Sequence, residues 1–157
     1  MSKSKNKNNY FSKKKNGFSQ HLTKNLSDDS TKIDKALILI KQGYLDKAEK
    51  IYREVILEGS RDHEIYLNLA MLCGQRGAKT EMIHFLKTAL QIKPEFPQAC
   101  NNLAIALKEK GDLEEAIFYF HKAIKFKPSY AKALNNLGNA LKEKGDIEAA
   151  VSYYKQS

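Results

Sequence analysis

From Pro97 to Tyr130 apolar residues recur every three or four positions in two segments, broken by Lys110-Gly111-Asp112 and closed by Pro128. That spacing is the helical period, so the stretch predicts two amphipathic helices joined by a tight turn. Displaced by 34 residues, the rest of the chain after residue 29 falls on the same pattern. Gly43, Gly77, Gly111 and Gly145 align, as do Ala36, Ala70, Ala104 and Gly138, and as do Tyr52, Leu86, Phe120 and Tyr154. A period of this length, kept this strictly, predicts an all-α array of helical hairpins in which each hairpin packs on its neighbours.

The first hairpin is expected to begin near Ser30 or Thr31, with Ile33, Ala36, Leu37, Leu39 and Ile40 on its packing face. Lys32 and Lys35 keep its outer face polar, as an N-terminal cap requires. Its second helix is expected from about Asp46 to Glu58, with Asp46 and Glu49 spaced as a capping box and Ala48, Ile51, Tyr52, Val55 and Ile56 facing inward. The second hairpin, roughly Glu64 to Lys93, has a first helix apolar on most sides, which suggests a binding face around Leu67, Leu69, Met71, Leu72 and Cys73. In the third, Asp112 and Glu115 are spaced as a capping box, Gly111 suits a turn at positive φ, and Ala116 and Ala123 allow close approach of helices beside Phe120. The fourth has a complete first helix, Ala131 to Lys144, but its second runs from about Asp146 only to Ser157. Leu134, Leu137, Leu141, Val151 and Tyr154 are therefore expected to include apolar surface without a partner. Fraying, end-to-end self-association of two copies through that face, or continuation of the natural polypeptide beyond Ser157 would each answer it. The mid-pattern cut favours continuation.

The positions that repeat resemble the tetratricopeptide repeat. In the central copy they are Leu103, Ala104, Leu107, Gly111, Ala116, Phe120, Ala123 and Pro128. The fourth copy keeps Leu137, Gly138, Leu141, Gly145, Ala150 and Tyr154, and the second keeps Tyr66, Leu69, Ala70, Gly77, Ala89 and Pro94 but has Met82 and Leu86 at the alanine and aromatic positions. The first, with Ala36, Leu39, Gly43, Ala48 and Tyr52, has Lys32, Lys35 and Ser60 where apolar residues and a proline are usual. The resemblance implies a right-handed α-α superhelix, or solenoid, of about four 34-residue hairpins, the last incomplete: residues 30–62, 63–96, 97–130 and 131–157. It also implies a non-catalytic scaffold that binds a peptide or protein segment in a concave groove. The alternative is a substrate-recruiting region of a larger enzyme, of glycosyltransferase or sulfotransferase type, with its catalytic domain elsewhere.

Charge separates the N-terminus from the array. The chain of 157 residues has a net charge of +9, yet all 18 acidic residues lie at or after Asp28 and seven lysines precede it. Residues 1–27 thus hold +7 and leave +2 to the rest. Residues 1–29, rich in Lys, Asn and Ser with a few aperiodic apolar residues, read as a disordered basic arm. A solubilising tail and an electrostatic tether to nucleic acid or an anionic membrane are both compatible with it.

Cys73 and Cys100 fall on apolar positions without ligand spacing, which points to buried reduced thiols rather than a disulfide or metal pair and suits a cytoplasmic protein. No apolar run reaches membrane-spanning length, and the N-terminus lacks the apolar segment of a secretory signal. His21, His63, His84 and His121 include no pair at metal-ligand spacing, and no glycine-rich phosphate loop or nucleophile elbow is present. Neither metal, cofactor nor catalysis is expected.

The most pointed polar feature is Asn68, Asn102 and Asn136, one per repeat, with Asn101, Asn135 and Asn139 beside the last two. A carboxamide both donates and accepts, so a ladder of them suits the backbone of an extended peptide whatever its side chains. The arrangement resembles the asparagine ladder in the repeat region of O-linked N-acetylglucosamine transferases, although Asn is also tolerated on an ordinary solvated helix face. Lys108, Lys132 and Lys142 are the candidate groove cations, but Glu109 and Glu143 lie among them and no arginine does, so a chaperone-type carboxylate clamp is not expected.

Overall fold

The computed structural model describes residues 29–157, so the basic arm, Asp29 apart, and His21 with it, lie outside the described residues. Among the described residues there are eight helices and no strand. They are α1 (residues 29–41), α2 (Leu45–Leu57), α3 (His63–Gln75), α4 (Lys79–Ile92), α5 (Pro97–Lys110), α6 (Leu113–Phe126), α7 (Ala131–Lys144) and α8 (Ile147–Tyr154). The chain divides into two compact units, one ending at Ser60 and one from Arg61 to Ser157. None of these helices is long and apolar enough to cross a membrane.

In the first unit α1 and α2 form a hairpin about the turn at Gly43. Ala36, Ala48, Tyr52 and Val55 are fully buried. Lys32 is not merely a polar outer residue, because its Nζ donates to both carboxylate oxygens of Glu58 at 2.6 and 2.7 Å and so joins the start of α1 to the end of α2. The capping box expected at Asp46 and Glu49 does not form. The cap position is Tyr44, with no side-chain hydrogen bond to the helix start, and the Glu49 carboxylate instead accepts from Arg53 Nε and Nη2 at 2.9 and 2.7 Å one turn on. Two charged N–H donors converge there on a single Glu49 oxygen, Oε1.

The second unit contains three hairpins, α3–α4, α5–α6 and α7–α8, with α4 packed on α5 and α6 on α7. Its core runs continuously from Ala70, Leu86 and Ala89 through Phe96, Leu103 and Leu107 to Ala116, Phe120, Leu137, Ala140 and Ala150. Gly111 ends α5 at φ 98°, and the Asp112 N–H returns to the Leu107 carbonyl at 2.9 Å. This is a left-handed helix end that only glycine adopts at little cost. Asp112 does not cap α6, because Lys110 Nζ holds its carboxylate at 2.8 Å, and Glu115 accepts from Lys87 Nζ at 3.1 Å, so the expected box is absent here too. Asp146, at the equivalent place before α8, does cap its helix by accepting from the Ala149 N–H at 3.1 Å.

The last hairpin is better satisfied than the sequence suggests. Leu134, Leu137 and Leu141 are buried, because α7 packs against both α6 and α8. Tyr154 is partly buried, and its ring lies where a Cβ on Gly138 would stand 2.5 Å from Cε1. The exposed apolar residues there are Val151 and, one turn earlier, Ile147.

Candidate functional site

The first helices of the last two hairpins, α5 and α7, bring polar positions side by side. Between α5 and α7 lies an open groove of about 590 Å³. Asn101, Asn102 and Ile105 of α5 form one wall, and Ala131, Lys132, Asn135 and Asn136 of α7 form the other, with Tyr130 at the loop before α7 and Ser157 also in the lining. A second cleft of about 290 Å³ lies against Met71, Gly74, Met82, Ile105 and Ala106, so that Ile105 borders both. Burial raises the pKa of the Tyr130 phenol and keeps it a neutral hydroxyl.

The asparagines do not play one common role. Asn101 is the buried polar side chain of the described residues, 3% exposed. Its Oδ1 accepts from Asn136 Nδ2 at 3.1 Å and its Nδ2 donates to Asn102 Oδ1 at 3.4 Å, so it pins α5 to α7 beneath the groove. Asn102 Nδ2 in turn donates to the Met71 thioether at 3.2 Å, which ties the groove surface to α3. Asn135 is exposed in the groove wall. Asn139, placed among the groove residues by its sequence neighbours, lies outside the lining. It donates to Asn135 Oδ1 at 3.2 Å and accepts from the Tyr154 hydroxyl at 2.8 Å, closing α7 on α8. Asn68 is half-buried on α3 and also lies outside the lining.

The three lysines separate in the same way. Lys108 is held by Glu143 at 3.3 Å, an ion pair between α5 and α7. Lys142 is exposed and lines neither cleft. Only Lys132 stands in the groove wall, and it has no ion-pair partner among the described residues. Cys73 and Cys100 are both buried and unpaired with each other, and burial raises the Cys100 thiol pKa against the opposing effect of Lys122. His63 and His121 stack edge-on against Phe96 and Tyr153, at 4.9 and 5.7 Å.

The comparisons with known proteins bear on the family and the fold. The family profile described as tetratricopeptide repeat matches residues 31–57 and 63–96, and a second, described as TPR repeat, matches 106–145. Together they cover more than half of the chain. The chain belongs to the tetratricopeptide repeat family. No curated protein matches its sequence. Among solved structures, the crystal structure of MamA is 21% identical over 88% of this chain and 81% of its own, with a TM-score of 0.77. A second, the MamA RS-1 ArsTM double mutant, is 17% identical over 82% and 72%, with a TM-score of 0.75. YrrB, described as a TPR protein with an unusual peptide-binding site, is 16% identical over 77% of this chain and 62% of its own, with a TM-score of 0.69. At these identities the likeness is one of fold: an all-α tetratricopeptide repeat array, the architecture of a protein-interaction scaffold.

Two groove features escaped the sequence reading. Tyr130 looks like a loop residue, and nothing in its spacing places it at the groove mouth. Met82 is visible as a departure from alanine, but its place in a groove wall depends on Gly74, eight residues earlier on the other helix of the hairpin.

Proposed function

We propose that this tetratricopeptide repeat chain is a non-catalytic binding module that holds an extended segment of a partner protein along the groove of α3, α5 and α7. The observation that carries the reading is the convergence of Asn102, Asn135, Asn136 and Lys132 from two successive first helices, with Tyr130 of the loop before α7, on one open groove of about 590 Å³. Carboxamides, a phenol and an ammonium offer donors and acceptors to a backbone in the unpaired, extended state, and each such hydrogen bond adds about 0.5–1.5 kcal/mol net. Because Asn101 holds α5 to α7 from below, the two walls are fixed before a ligand arrives, which lowers the ordering cost of binding.

The test uses the full chain as bait in a cell extract, with captured proteins identified by mass spectrometry and the strongest partner titrated by calorimetry. Asn102→Ala combined with Asn135→Ala removes groove carboxamides while leaving the Asn101–Asn136 bond in place. Asn102→Ala also takes the acceptor from the buried Asn101 Nδ2, so Asn135→Ala alone serves as the stability-neutral control. Binding weaker by at least tenfold, in a double variant still folded by circular dichroism, is the expected result. Undiminished binding by the double variant contradicts the groove reading.

A further inference from the structure

The cleft at Met71 exists because two positions of the second hairpin depart together from the pattern of the others. Where the other hairpins have Ala48, Ala116 and Ala150, this one has Met82, and opposite it Gly74 stands where the next two have Lys108 and Lys142. A Cβ on Gly74 would lie 3.0 Å from the Met82 sulfur, so the missing side chain is what lets the thioether lie across α3 and into the groove wall. Met71, 45% exposed, and Ile105 complete an apolar cleft of about 290 Å³. Methionine side chains are unbranched and polarisable and adapt to varied apolar partners. The rim of this cleft is electrically spent, since Lys79 and Glu109 pair across it at 3.1 Å.

The neighbouring amide-lined groove is different. Its charged side chain is Lys132, exposed and without an ion-pair partner among the described residues, beside the neutral Tyr130 hydroxyl. We propose that the groove selects a bipartite segment, in which an aliphatic or methionine side chain seats against Met71, Met82 and Ile105 and a carboxylate a few residues away meets Lys132. This rests on the groove reading above and adds what the groove selects.

The spacing follows from helix geometry. The two compartments lie on either side of α5, so their centres are separated by about one interhelical distance of 8–10 Å. On α5 the first is lined near Ile105 to Glu109 and the second near Asn101 to Ile105, an offset of about 6 Å along the axis at 1.5 Å per residue. Combined, the separation is about 11 Å, or three to four residues of extended chain at roughly 3.3 Å each. The recognised pattern is therefore an apolar residue and an Asp or Glu three or four positions apart.

A phage-displayed library of random dodecapeptides, selected on the full chain, reads this directly. The wild-type chain is expected to enrich Leu, Ile or Met three or four positions from Asp or Glu. Lys132→Glu, a change at an exposed residue, is expected to weaken the enriched peptides at least tenfold and to replace the acid with Lys or Arg on reselection. Met82→Ala is expected to erase the apolar preference, and Met71→Ser, at a position 45% exposed, gives the same readout should Met82→Ala disturb the hairpin. Peptides whose capture requires Asn102 and Asn135 but shows neither the spacing nor any response to Lys132→Glu and Met71→Ser would overturn this inference and leave the groove reading intact. Peptides captured equally by the Asn102→Ala, Asn135→Ala double variant would overturn both.

Discussion

Gly138 and the asparagines show how much a single position decides. A methyl group at Gly138 meets the Tyr154 ring at 2.5 Å, too close for the ring to yield without leaving its place against α7 and the bond its hydroxyl donates to Asn139. Gly138→Ala is therefore expected to destabilise the chain by about 1–3 kcal/mol, the usual cost of overpacking, against the small gain that alanine normally brings to a helix. Urea denaturation followed by circular dichroism measures it. Two neighbouring asparagines give opposite expectations. Asn136→Ala strips the buried Asn101 carbonyl of its donor and should cost about 1–3 kcal/mol, whereas Asn135→Ala, exposed, should stay within about 0.5 kcal/mol of wild type. Equal melting temperatures for the two would contradict the role assigned to Asn101. Adjacent residues on a helix point about 100° apart, so a run such as Asn101-Asn102 places one carboxamide inside and one out. The sequence has both as groove candidates, and the direction in which the neighbouring helix lies is what tells them apart.

Among elements, helix starts separate what spacing can say from what it cannot. Asp112 and Asp146 occupy equivalent positions 34 residues apart, yet only Asp146 caps its helix, because Lys110 takes the Asp112 carboxylate. Asp146→Ala is expected to cost about 1 kcal/mol and to fray α8, whereas Asp112→Ala loses only an exposed ion pair worth about 0–1 kcal/mol. Amide hydrogen exchange in α8 and α6 distinguishes the two. The hairpins themselves were legible for a different reason. A turn glycine at positive φ, a small residue at a close approach and a large side chain between layers, aromatic except for Leu86 in the second, are steric requirements, and they recur in each repeat. The competition between Lys110 and a helix start for one carboxylate, or the coupling of Gly74 to Met82, is settled by side chains that meet only once the hairpin has closed.

For the molecule as a whole, the fold was readable because an array repeats its own instructions, whereas the groove is where the repeats stop being alike. Met71, Ile105 and Asn139 occupy one register position and have three different fates: an exposed thioether, a shared groove wall and a bond to Tyr154. The central claim is that partners lie along α5 and α7, and Ile105, which borders both compartments, is the place to ask. A photo-crosslinking residue, p-benzoylphenylalanine, is placed at Ile105 or at the exposed Phe118 of α6, which lines neither cleft, and each variant is irradiated with the bound partner. Covalent adducts at position 105 that vanish when Asn102 and Asn135 are replaced by alanine, with none at position 118, are the expected result. Adducts at 118 with none at 105 would contradict the account.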